Sequence, residues 1–229
     1  MTRALIFDLD DTLYAERRFA LSGYAAVARD VERRHGYAAC KAYGVLRDAL
    51  REGRRAWAFQ SLAWTLGVSE SEVEGFRELY RRHQPRLRLP RNSREALRSA
   101  RQSWRVAVLT NGLPQVQRSK VDALGLASLV DEVFYAHEIG AGKPDAAVFV
   151  TACCALGVSP ERAVMAGDDP WCDIDGARRA GLRSVRVRQG WHRDVEVGET
   201  GAADATVHTI ADVPREADRL IHEGDDHAD

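Results

Sequence analysis

Near the start of the chain Asp8, Asp10 and Asp11 stand almost side by side, with Thr12 directly after them. A second acidic group, Asp168, Asp169 and Asp173, lies far downstream, and between the two fall Thr110-Asn111-Gly112 and the loop Gly140-Ala-Gly-Lys143-Pro144. Carboxylates brought together at this density repel one another and titrate abnormally unless a cation sits among them. A donor set made only of oxygen, with room for water and a phosphate oxygen, suits Mg2+. A phosphoryl group in transfer spreads negative charge over its equatorial oxygens, and Lys143, the Thr110 hydroxyl and main-chain amides near Asn111 and Gly112 are donors of the kind it needs. A carboxylate that attacks in line gives an acyl phosphate and divides one very slow hydrolysis into two easier steps.

Such residues work together only if secondary structure delivers them to one place. The run Arg3-Ala-Leu-Ile-Phe-Asp-Leu9 reads as a central strand buried on both faces of a parallel sheet. Further strands are expected at Val106–Thr110, Glu132–Ala136, Ala163–Ala166, Ser184–Arg188 and Ala205–Thr209, alternating with helices at 93–103, 114–124, 145–156, 173–180 and 212–221. That alternation predicts βαβ units, hence an α/β fold with a Rossmann-like parallel sheet and helices on both faces. In such sheets ligands bind outside the carboxyl ends of the strands, where Asp8, Thr110 and Asp168 would stand.

Residues 15–85 interrupt this pattern. Ala20, Tyr24, Val27, Ala28 and Val31 recur on one helical face, and helices are expected at 38–54, 55–66 and 69–83, the last opened by a Ser69/Glu72 capping box. The expected organisation is a core of 1–14 and 86–229 with a helical insert of 15–85, far longer than an ordinary βα loop. Trp57, Phe59, Leu62 and Trp64 read as the insert's own core rather than as an aromatic substrate cage.

With 229 residues, 45% of them apolar, the chain is long enough for one large domain or a domain with an insert. A net charge of −1 argues against a nucleic-acid binder, although 14–101 is rich in Arg and 192–229 in acids. The short apolar run after Met1 is broken by Asp8 and resembles neither a signal peptide nor a membrane span, so a cytoplasmic location is expected. Cys40, Cys153, Cys154 and Cys172 lack zinc-site spacing and read as buried free thiols. Lysine occurs only at Lys41, Lys120 and Lys143, which favours a reason for a compact ammonium at position 143. Histidines 192, 208, 222 and 227 read as surface residues, Asp11 and Thr12 as turn caps, and an EF-hand loop is excluded because Leu13 stands where its turn glycine belongs.

Four segments, FDLDDTL at 7–13, LTNG at 109–112, GKPD at 142–145 and GDDPWCDI at 167–174, resemble the four ordered motifs of the haloacid dehalogenase superfamily. The insert sits where that family's type 1 helical cap belongs. The resemblance implies that Asp8 is the nucleophile and a metal ligand. It implies that Asp10 binds the metal through its main-chain carbonyl while its side chain protonates the leaving alcohol and later activates water. Thr110, Asn111, Gly112 and Lys143 would hold the phosphoryl group. Asp168 would bind Mg2+ directly, with Asp173 behind it, and Asp169, an extra acid at that position, leaves the division of metal duties open. The expected activity is therefore a Mg2+-dependent phosphatase acting on a small phosphorylated metabolite, with no membrane or nucleic-acid partner, as a monomer or homodimer. Asp10 argues against dehalogenation and against phosphonate hydrolysis. A phosphomutase shares all four motifs, and an inactive regulatory module is disfavoured because Asp8, Asp10, Lys143 and Asp168 are all present.

Overall fold

A computed structural model describes residues 2–198 and 201–225. The chain divides into two compact units, one of Met1–Glu16 with Arg88–Asp229 and the other of Arg17–Leu87.

The first strand, β1 (Ala4–Phe7), is four apolar residues with no exposed surface at any of them. It stops one residue short of Asp8, so that carboxylate lies just past the strand's carboxyl end. The inserted unit follows, with α1 (Arg17–His35), α2 (Ala39–Arg51), a 3-10 turn at Arg55–Trp57, α3 (Ala58–Leu66) and α4 (Glu72–Arg82). On α1 the residues Ala20, Tyr24, Val27, Ala28 and Val31 are buried, the face expected from their spacing, and Phe19 is buried beside them. Tyr24, Val27, Val31, Leu46, Leu62 and Phe76 belong to this unit's own apolar core, each fully buried side chain contributing roughly 1.5–3 kcal/mol.

Two details of the insert differ from expectation. Trp57 and Trp64 are more than half exposed, whereas Phe59 and Leu62 are buried, so only the second pair belongs to the core. No capping box forms at Ser69: its hydroxyl accepts from the Ser71 amide, and the helix begins at Glu72 without a side-chain cap. The Glu72 amide that the box needs donates instead to the Ser69 carbonyl at 3.0 Å.

The α/β unit continues with α5 (Arg91–Ala100), β2 (Arg105–Thr110), α6 (Pro114–Leu124), β3 (Glu132–Tyr135), α7 (Ala136–Ile139), α8 (Ala146–Leu156), β4 (Ala163–Gly167), α9 (Gly176–Arg179), β5 (Arg183–Val187), β6 (Ala205–Val207) and α10 (Val213–Asp225). Among the described residues the strands form one six-stranded parallel sheet in the order β3-β2-β1-β4-β5-β6. Register is continuous across its centre: Phe7 pairs with Val108 on one side and Ala166 on the other. The carboxyl ends of β1, β2 and β4 are thus level, and the order reverses beside β1, the kind of position where open α/β sheets bind ligands. Ile6, Leu109 and Met165 pack with Phe149 and Val148 of α8 in one apolar layer.

The helix expected at 173–180 is instead a π-helical turn, Pro170–Asp175, followed by the short α9. Asp145 lies outside α8 as its N-cap, accepting from the Ala147 amide. All four cysteines are free, but only Cys153 is fully buried and Cys40 and Cys154 are exposed, which corrects the expectation of buried thiols. His208 and His222 are exposed as expected, and His227 lies outside the described residues. Among the described residues no helix is long and apolar enough to cross a membrane.

Candidate active site

At the carboxyl ends of β1, β2 and β4 a cleft enclosing about 170 Å³ is lined by Asp8, Asp10, Asp11, Thr110, Asn111, Lys143, Asp168, Asp169 and Asp173, with Trp191 and His192 on its wall. Gly112 is not part of that lining.

Lys143 is the hub. Its Nζ donates to Asp8 Oδ1 at 2.7 Å, to Asp173 Oδ1 at 2.7 Å and to the Leu109 carbonyl at 2.9 Å. An ammonium has three donors, and all three are used. The loop carrying it is braced by Asn111, whose Nδ2 donates to the Lys143 carbonyl while its Oδ1 accepts from the Lys143 amide, each at 2.8 Å. The Asn111 side chain therefore fixes Lys143. Burial works against the charged lysine, but Asp173 and Asp8 outweigh it and hold its pKa above the ordinary range.

Asp173 reaches the end of β4 because residue 167 is glycine. A Cβ there would lie 2.1 Å from Asp173 Oδ2. With Oδ1 on Lys143 and Oδ2 accepting from the Asp169 amide at 3.1 Å, both of its oxygens have partners. Burial raises the Asp173 pKa against the pull of Lys143.

Asp168 accepts from the Thr12 hydroxyl at 3.4 Å through Oδ1, and its Oδ2 lies 2.9 Å from His192 Nδ1. Burial, then the charges of Asp8 and Asp173, push its pKa up to about 9. Burial likewise raises Asp8 to about 7, with Lys143 offsetting part of the effect. Asp169 differs. Its Oδ1 accepts from the amides of Trp171 and Cys172, each at 2.9 Å, and these bonds outweigh burial and hold its pKa below the usual carboxylate range. That oxygen caps the π-helical turn.

Asp8, Asp168 and Asp173 each offer an oxygen within 4.8 Å of the others. Three ionised carboxylates against one ammonium would leave two uncompensated negative charges in a buried site, and burial first, then their mutual repulsion, raises Asp8 and Asp168 against that state. A hard divalent cation taking oxygen ligands would balance the charge, so the residues fit Mg2+.

Asp10 has partners that no sequence motif singles out. Lys120, Gln117 and Tyr14 all donate to its carboxylate, and Gln117 also donates to the Thr110 hydroxyl. The available signal is a rare lysine three residues after a glutamine on α6, the helix that follows Thr110. Asp11, in the left-handed region at φ 57°, accepts from the Glu16 amide at 2.8 Å, which is turn chemistry. It lies against Gly190, itself at φ 64°, where a Cβ would meet the Asp11 side chain at 2.3 Å. His192 is a correction: it lines the cleft beside Asp168, because Arg186, buried on β5, donates to the carbonyls of His192 and Val195 at 2.8 Å and holds that loop inward.

The chain is similar to several known proteins. Over 205 residues the chain is 28% identical to a glyceraldehyde 3-phosphate phosphatase of Methanopyrus kandleri, covering 86% of this chain and 88% of that one. A phosphoserine phosphatase of Thermus thermophilus is 48% identical over 90 residues, a match spanning 39% of this chain but only 36% of the relative's length. Among solved structures, a 2-haloacid dehalogenase from Pseudomonas syringae superposes with a TM-score of 0.65 at 25% identity, covering 96% of this chain and 99% of that one. The model of the haloacid dehalogenase-like hydrolases matches residues 2–181, the stretch that carries every acid of the cleft, and the chain belongs to that family.

Proposed function

We propose that the protein is a Mg2+-dependent phosphatase that hydrolyses a small phosphomonoester through a phospho-aspartate on Asp8. The observation that carries this reading is the pairing of Asp8 Oδ1 with Lys143 at 2.7 Å, beside Asp168 and Asp173. Lys143 restrains one oxygen of Asp8 and leaves Oδ2 to attack. It also places a positive charge where the phosphoryl oxygens would lie.

In the first step Asp8 Oδ2 bonds to phosphorus, the bond from phosphorus to the ester oxygen breaks, and the leaving oxygen takes a proton from Asp10. In the second, a water loses its proton to Asp10 and attacks phosphorus, the bond from phosphorus to Asp8 breaks, and inorganic phosphate departs. Thr110 would hold the phosphoryl oxygens, and the Lys143 charge beside Asp8 would attract them. Asp8, Asp168 and the Asp10 main-chain carbonyl would hold Mg2+, with Asp173 steadying Lys143 from behind. When bound, the ion would supply positive charge to the transferring group.

Asp10 favours phosphate over halide, since displacement of halide needs no acid at the leaving group. The named activities of the Methanopyrus and Thermus relatives support a small phosphorylated metabolite as substrate. The helical unit, Arg17–Leu87, is the segment that would serve as a type 1 cap, because it enters the chain between Asp8–Thr12 and the rest of the sheet. Release of phosphate from a panel of small phosphomonoesters and one aryl phosphate, with Mg2+ and with excess chelator, tests the reading. Turnover that requires Mg2+ is expected; no release from any member of the panel overturns it.

A further inference from the structure

Three side chains hold the carboxylate of Asp10. Lys120 Nζ donates to both oxygens, at 2.9 Å to Oδ1 and 2.7 Å to Oδ2. The Tyr14 hydroxyl donates to Oδ1 at 2.6 Å and Gln117 Nε2 to Oδ2 at 2.9 Å. An ionised carboxylate offers about four lone-pair sites, and the form held here, with donors on both oxygens, is the one that takes a proton from water in the second step. The Lys120 side chain is only 4% exposed, and a lysine is seldom buried so deeply unless a partner requires it. Gln117 and Lys120 stand at i and i+3 on α6 and therefore share one face. The same Gln117 amide donates to Thr110 Oγ1 at 2.5 Å, linking the proton-transfer candidate to the candidate phosphoryl holder.

We propose that Lys120 and Gln117 are positioning residues: together they fix the Asp10 carboxylate where it can exchange a proton with the leaving oxygen, in register with Thr110. This rests on the phosphatase reading above. Neither residue bonds to the substrate. Tyr14 completes the set, its hydroxyl donating to Asp10 Oδ1. A reacting group displaced by about 1 Å costs roughly 100-fold in rate.

The test compares wild type, Asp10→Asn, Lys120→Met, Gln117→Met and the double variant Asp10→Asn/Lys120→Met, in saturating Mg2+. Each is assayed on p-nitrophenyl phosphate and on the alkyl phosphomonoester that wild type hydrolyses fastest. Lys120→Met is expected to lower kcat on the alkyl ester roughly 10- to 100-fold with KM little changed, and to do far less to the aryl ester, whose leaving group needs little acid help. In the Asp10→Asn background its effect should largely vanish. Equal losses on both esters, or losses that multiply in the double variant, overturn the proposal, because a merely structural lysine would behave that way. Should Lys120→Met fail to fold, Gln117→Met carries the same comparison, and its outcomes count for or against the proposal in the same way. If Asp10→Asn shows its ester dependence while Lys120→Met and Gln117→Met do not, positioning alone is overturned; if wild type hydrolyses neither ester, the phosphatase reading falls and takes this proposal with it.

Discussion

One ammonium group organises the candidate site. Lys143 carries two buried carboxylates and a main-chain carbonyl, and Asp173 reaches it because Gly167 leaves room. Removing Lys143 strands two buried negative charges, a change that typically costs about 3–5 kcal/mol. Lys143→Met is therefore expected to lower the denaturation midpoint as well as turnover, and a midpoint equal to wild type would show that the pairs contribute nothing to stability. Gly167→Ala tests the other half of the arrangement. Its methyl would meet Asp173 Oδ2, so either the strand end or the carboxylate must move, at about 1–3 kcal/mol. Urea unfolding and phosphate release measured side by side should both fall; an alanine tolerated in both assays would mean that Asp173 need not lie where it does.

At the scale of elements, the strands and their polar ends are legible in the sequence because a continuous apolar run closed by acids has few other meanings in a parallel sheet. The contribution of α6 is not. Its interval is evident, but nothing in a helical pattern says which face meets the end of β1, so the rarity of Lys120 stands out without saying what it and Gln117 meet. His192 escapes notice for a related reason: Arg186, far from any motif, turns its loop inward. Trp57 and Trp64 read as core because large aromatics usually lie inside, whereas here Phe59 and Leu62 take that role.

The helical unit buries a histidine of its own. His83 is 6% exposed, packs 4.8 Å from the Phe19 ring and lies 2.6 Å from the Tyr80 carbonyl through Nδ1, while its buried Nε2 has no partner among the described residues. Burial, with help from the Arg29 charge, lowers its pKa below the ordinary 6.5. As pH falls past that ordinary value, the unfolded chain takes up the proton first, so stability is lost downward from there and is complete above it. Thermal melts from pH 7.5 to 5 should show a decline that His83→Asn, which keeps a donor to Tyr80, makes shallower. Parallel pH profiles for the two proteins would contradict this account of the buried imidazole.

Across the whole molecule, the four ordered segments that resemble the family motifs lie on separate parts of the chain and meet only through the sheet, and the family match over 2–181 covers all of them. A metal that binds the folded chain and not the unfolded one stabilises it by mass action, about 2.7 kcal/mol at a concentration 100-fold above Kd. The melting temperature should therefore rise with added Mg2+ in the absence of any substrate, and Asp168→Asn should remove most of that rise. An Asp168→Asn protein that responds to Mg2+ like wild type would move the metal elsewhere.

Every step of the proposed reaction depends on the covalent bond formed at Asp8. Acid quenching during steady turnover, followed by proteolysis and mass spectrometry, should find the peptide containing Asp8 heavier by one phosphoryl group in wild type and unmodified in Asp8→Asn, which should also be inactive. A protein that turns over rapidly with that peptide never modified, or an Asp8→Asn variant with activity near wild type, would contradict it.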